Sequence, residues 1–133
     1  MPTSTPTRAA LVVLATTQTV MLAAMLAKVP PHPPFEIPLF ALGPFLGAAI
    51  AIALAALVMG DETTRIGRLL ALTAAVLAAL SFGPQKYLDP AFDRIWPAVL
   101  VSQAAIVTIA VRLLPQFARR SADTETKAPK AEA

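Results

Sequence analysis

Cysteine is absent from the chain, and histidine occurs once, as His32. The first absence excludes disulfides, thiolate nucleophiles and thiolate-held metals. The second excludes a multi-histidine metal or haem site within one chain. Charge is scarce as well: Asp, Glu, Lys and Arg make up 14% of the residues, against about 25% in an ordinary soluble domain. No Asp or Glu falls inside any of the long apolar runs. Ion- and proton-coupled transporters carry a titratable group within the membrane, so this absence argues against that class. No Gly-rich phosphate loop, Ser-His-Asp order, HExxH or CxxC pattern is present, so no motif points to catalysis, and no metal or cofactor is expected.

What is present is apolar. Hydrophobic residues make up 56% of 133, and the mean hydropathy is +0.66. The length suits one domain, and the composition indicates an integral membrane protein. A net charge of +3 might elsewhere invite a nucleic-acid reading. Here the basic residues sit at the ends of apolar runs rather than in a stripe, so no nucleic acid is expected.

The expected fold is all-α, a four-helix transmembrane bundle with helices near 9–27, 39–59, 66–82 and 97–114. Residues 1–8 form a short N-terminal tail, 9–114 the single transmembrane domain, and 115–133 a disordered cytoplasmic tail. The first run, Ala9–Ala27, spans about 28 Å at ~1.5 Å per residue, close to the hydrocarbon thickness of ~30 Å. It is read as an uncleaved helix, because cutting after Ala27 would put Met25 at the −3 position of a signal peptidase site. Five prolines between Pro30 and Pro38 forbid a regular helix, leaving a stiff extended connector. Gly60–Arg65 is a tight turn. Gln85–Arg94 is a polar connector with the mixed pattern of a short interfacial helix.

Two runs carry small residues at every fourth position. These are Gly43, Gly47, Ala51 and Ala55, and then Gly67, Ala71, Ala75, Ala79 and Gly83. Such spacing places each set on one side of a helix and lets two backbones approach closely, as helices in lipid do. An antiparallel pair packed through these faces is expected.

Lys and Arg counts set the orientation. With the N-terminus inside, the cytoplasmic side holds Arg8, Arg65, Arg68, Arg112, Arg119, Arg120, Lys127 and Lys130; the outer side holds Lys28, Lys86 and Arg94. Both termini are therefore expected in the cytoplasm, and the expected location is a bacterial plasma (inner) membrane. The aromatics collect on the outer half, with Tyr87, Phe92 and Trp96 read as interface anchors or as contacts to a partner subunit or an amphiphile.

Two groups of residues are candidates for a site. Gln18 and Gln103 lie within the first and fourth runs, which are neighbours in an up-down bundle. They are expected to approach each other at mid-depth, as a register-fixing hydrogen bond or as a polar contact for a quinone, small substrate or ion. At the outer surface His32, Glu36, Lys86, Asp89, Asp93 and Arg94 form a polar cluster, flanked by Tyr87 and Trp96. The leading functional expectation is a non-catalytic accessory or scaffold subunit of a membrane complex, whose partners are the lipid bilayer and either other subunits or a second copy. The alternatives are a small homodimeric carrier or channel, and an intramembrane enzyme acting on a lipid or quinone.

Overall fold

A computed structural model describes residues 6–30, 39–60 and 62–126, with the backbone course alone at 39 and 120–126. Its elements are four α-helices, α1 (Pro6–Ala27), α2 (Leu39–Met59), α3 (Arg65–Phe82) and α4 (Phe92–Thr126), with a 3-10 helix at Pro84–Leu88. All four α-helices are long and apolar enough to cross a membrane. Each packs against its two neighbours in a ring, and α1 and α3 touch only lightly across the diagonal. Successive helices are antiparallel, so the start of α1, the α2–α3 turn and the second half of α4 share one end of the bundle. This end is called the turn end below. The 3-10 helix marks the opposite end.

Local chemistry explains the boundaries. Pro6 opens α1, at a position where proline's missing donor costs nothing. Gly60 ends α2 with φ +80°, a conformation glycine adopts freely. Thr64 then caps α3: its Oγ1 accepts from the Gly67 N–H at 2.9 Å and donates to the Met59 carbonyl at 2.7 Å. At the other end of α3, Gln85 Nε2 donates to the carbonyls of Ala79 (3.1 Å) and Leu80 (2.8 Å), satisfying groups the ending helix leaves open.

Helix α4 departs from expectation at both ends. It begins at Phe92 rather than Pro97, because Asp89 organises the chain just before it. Asp89 Oδ1 accepts from the Ala91 N–H at 2.9 Å, and the Asp89 carbonyl accepts from the Phe92 N–H at 2.9 Å. It also runs through Pro115 to Thr126, over residues expected to be disordered. Gln116 Nε2 donates to the Arg112 carbonyl at 3.0 Å, giving that carbonyl a partner beside the proline. At about 1.5 Å per residue α4 is roughly 50 Å long, which exceeds a hydrocarbon core of ~30 Å. Residues 127–133 lie outside the described residues.

The core is built largely from alanine. Ala53 and Ala56 of α2 meet Ala71, Ala74, Ala75 and Ala78 of α3 in one buried cluster with Leu11, Leu14, Ile109 and Leu113. Gly67, Ala71, Ala75 and Gly83 are buried and Ala79 is half-buried, so the α3 stripe faces inward. The α2 stripe is placed differently. Its inward face is Leu46, Ala49, Ala53 and Ala56, while Ala51 is exposed and Gly43, Gly47 and Ala55 are half-buried. A strict spacing of four drifts by roughly 40° per step around a 3.6-residue helix. The buried positions of α2 step by three and four, whereas on α3 the stripe lies within a wider inward face that also takes in Arg68, Ala74 and Ala78.

The turn end is tied together through Glu62. Its carboxylate accepts from the Thr7 hydroxyl of α1 and from Arg112 of α4, at 2.8 Å for Nε and 3.2 Å for Nη2. Its backbone carbonyl accepts from Arg68 Nη1 of α3 at 3.1 Å. Arg8 Nη1 donates to the Leu57 carbonyl at 3.1 Å, joining α1 to α2. Arg68 is buried, with its guanidinium 5.9 Å from the centre of the Phe117 ring. The hydrogen bonds from Arg112 and then Thr7 hold the Glu62 carboxyl below its usual range, against the opposing effect of burial.

A Cβ at Gly67 would lie 2.2 Å from the Gly60 carbonyl oxygen, whereas one at Gly47 would meet nothing within 4 Å. Thermal unfolding in detergent should therefore show Gly67→Ala losing about 1–3 kcal/mol, and Gly47→Ala unchanged or stabilised by up to ~1 kcal/mol through helix propensity. Equal effects at both positions would refute the contact. Because the folded Glu62 carboxyl titrates below its unfolded value, its contribution is complete above the unfolded pKa of about 4.3 and disappears as pH falls through the lower folded value. Glu62→Gln should lower the melting temperature at pH 7 and flatten the acid-induced decline. Among the described residues, Asp89 is the other carboxylate held low, and it contributes to the acid dependence left in that variant.

Candidate functional site

At the end opposite Glu62 the ring of helices is open between α1 and α4. A cavity of about 510 Å³ lies there, within the range of about 300–1,000 Å³ typical of small-molecule sites. Val20, Met21 and Ala24 of α1 form one wall, and Ile95, Pro97 and Ala98 of α4 form the other. Phe82 closes the side toward α3, Thr17 lies on the α1 wall, and Lys86, Asp89 and Arg94 contribute the charged groups. Small side chains at 24 and 98 on facing helices leave the room.

The charged groups are not equivalent. Lys86 Nζ donates to Asp89 Oδ2 at 2.9 Å, and Asp89 Oδ1 takes the Ala91 N–H. Both Asp89 oxygens are thus engaged. The Lys86 hydrogen bond, followed by that from Ala91, holds the carboxyl below its usual range. Arg94 is exposed, and its guanidinium has no hydrogen-bond or ion-pair partner among the described residues. Asp93 is exposed and does not line the cavity. His32 and Glu36, expected in this cluster, lie outside the described residues. No group of three or more His, Cys, Asp or Glu suited to a metal occurs among the described residues.

The two glutamines are not joined by a hydrogen bond. Gln103 Oε1 accepts from the Tyr87 hydroxyl at 2.6 Å, and its Nε2 donates to the Phe82 carbonyl at 3.1 Å. Gln103 therefore braces the 3-10 helix and the end of α3 against α4. Tyr87 also packs on Phe92, with ring centroids 5.1 Å apart and tilted by 52°. Trp96 is half-exposed on the first turns of α4. The polar link between α1 and α4 comes from other residues: Ser102 Oγ donates to Thr17 Oγ1 at 3.1 Å, and Thr17 donates to the carbonyls of Val13 (3.0 Å) and Leu14 (3.2 Å). Hydroxyls that bond back to their own helix gave no sign in the sequence of which would also bond across.

The chain matches no protein-family model, no curated protein and no solved structure. Its function is therefore argued from the cleft and the surfaces around it.

Gln18 sits elsewhere, fully buried in the α1 face toward the core, and its Oε1 has no hydrogen-bond partner. An unpaired buried acceptor costs about 1–3 kcal/mol. Gln18→Met, which keeps the shape and removes the acceptor, should raise the unfolding temperature in detergent. A melting temperature lowered by this change would show that the amide is satisfied.

Proposed function

We propose that this chain is a multi-pass integral membrane protein that binds an amphiphile, without catalysing a reaction, in the cleft between α1 and α4. The observation that carries this reading is the cavity of about 510 Å³, apolar along both helices and charged at Lys86, Asp89 and Arg94. That graded lining matches a molecule with an apolar tail and a polar head. The outward surfaces of the helices suit a lipid environment: Val12, Leu54, Val76, Leu80 and Val107 are all exposed. With the turn end in the cytoplasm, as the Lys and Arg distribution favours, the cleft opens in the outer leaflet of a plasma membrane.

A second reading, an accessory or scaffold subunit, is supported by α2. Its Gly47, Ala48 and Ala51 are turned away from the core, with open space above Gly47. Small residues in that position admit another helix. The remaining alternatives gain less. A carrier or channel would use a path past Gln18 and Gln103, yet no hydrogen bond joins them and the turn end is bound by Glu62. An enzyme using Asp89 would have to break both of its present contacts.

Native mass spectrometry of the full chain, purified in a mild detergent, tests the proposal. A lipid-sized adduct is expected. Ala24→Trp and Ala98→Trp, which fill the cleft from opposite walls, should each reduce it at least severalfold while circular dichroism shows unchanged helix. Full retention of the adduct in both folded variants would overturn the cleft as the binding site. The second reading expects instead a co-purifying polypeptide that is lost on Gly47→Leu.

A further inference from the structure

Resting on the amphiphile-binding reading, we infer that the occupant of the cleft is a phospholipid of net negative charge, and that Arg94 selects its phosphate-bearing headgroup. Three observations support this. First, the charged lining comprises two cations and one carboxylate, Lys86, Arg94 and Asp89. The carboxylate has both oxygens engaged within the protein, by Lys86 and by the Ala91 N–H. It is thereby neutralised locally, and a second cation remains. Second, that cation, Arg94, has no partner among the described residues. A guanidinium presents a planar fork of donors that suits a phosphate with two parallel hydrogen bonds. Third, the apolar wall begins beside it: Ile95 and Ala98 follow on the same helix and face Met21 and Ala24 across the cleft. A headgroup at Arg94 therefore places its acyl chain between α1 and α4.

The surrounding groups fit an interfacial depth. Tyr87 and Trp96 are half-exposed near the mouth, as aromatic side chains are at the headgroup layer. Lys86 lies beside Arg94 in the lining, and its bond to Asp89 holds it as a fixed neighbour rather than a free competitor for the phosphate. Asp93 is the opposing charge nearest in sequence, and it lies outside the lining.

The test compares phosphatidylglycerol with phosphatidylcholine of identical acyl chains, each added to the delipidated full-length protein and scored by retained adduct in native mass spectrometry. The wild type should prefer phosphatidylglycerol by roughly tenfold, the ratio that about 1.4 kcal/mol of charge-assisted hydrogen bonding gives. Arg94→Gln should bring the ratio close to one, lowering phosphatidylglycerol retention strongly and phosphatidylcholine retention less, because the choline cation already offsets the charge of the same phosphate. Arg119→Gln, in the basic region near the other end of α4, should leave the preference intact. Equal retention of both lipids by the wild type, with both lost in the cleft-filling variants, would overturn the headgroup assignment and leave amphiphile binding standing. A preference that survives Arg94→Gln, or that disappears with Arg119→Gln, would also overturn it. Retention of neither lipid would remove both proposals together.

Discussion

One carboxylate holds the turn end together. Glu62 sits in the link between α2 and α3, yet it receives α1 through Thr7 and α4 through Arg112, while its backbone receives α3 through Arg68. Helices in lipid gain little from burying apolar side chains against one another, since the surrounding tails are equally apolar. Their arrangement must come from close backbone approach and from polar bonds at defined places. The alanine faces of α2 and α3 supply the first, and Glu62 supplies the second. Without it, the ties that remain at that end include the Arg8–Leu57 bond, the Arg68–Phe117 contact and packing.

The bundle is consequently asymmetric along its length. At the turn end, Glu62, Arg112, Arg68 and Arg8 are engaged with one another or with backbone carbonyls. At the opposite end, the polar groups are arranged as a frame. Gln103 ties Tyr87 and the end of α3 to α4, Gln85 completes the last turn of α3, and Lys86 and Asp89 pin the short connector. All of these bonds lie within α3, the 3-10 helix and α4. None reaches α1, whose nearest polar link is the deeper Thr17–Ser102 contact. The frame therefore fixes the α4 wall of the cleft, while the α1 wall is held by packing on α2 and by that deeper contact.

Much of the fold could be read from residue order, and the reasons for the failures are specific. The four apolar runs and their antiparallel sequence needed only length and hydropathy, and α2 begins and ends where its flanking prolines and glycine put it. The start of α1 depends on a tertiary bond, Thr7 being in a helix end fastened by Glu62. Helix α4 starts early because Asp89 organises the chain before it, and it continues through Pro115 although a proline inside a helical pattern reads as a stop. The small-residue stripe on α2 lies beside the buried face rather than on it, because alanines occur on several sides of that helix and spacing does not say which side turns inward. In the candidate site, Lys86, Asp89 and Arg94 were identifiable as a charged connector and do line one cavity. The apolar wall was not identifiable, since Ala24 and Ala98 are two among many alanines and only the packing of α1 on α4 sets them opposite each other. Gln103 was recognised as polar within a span, but its partner is Tyr87 because the 3-10 helix folds back toward α4, a path that composition does not encode.

The contrast between the two halves bears on why the cleft should be filled. Elsewhere the helices meet through alanine at close range, with side chains such as Leu11, Leu14 and Leu113 fully buried. Walls without neighbours forgo the many small dispersion contacts that such packing provides. An open apolar space beside tightly packed alanine is therefore unfavourable by itself, and collapse of α1 onto α4 would relieve it. The bracing of α4 by Gln103 and the fixed Lys86–Asp89 connector resist that collapse from one side. The acyl chain of the proposed lipid would supply the missing contacts, because it can conform to the walls. On this argument the occupant is part of the packed structure, and filling the cleft with a tryptophan should replace the lipid rather than break the bundle.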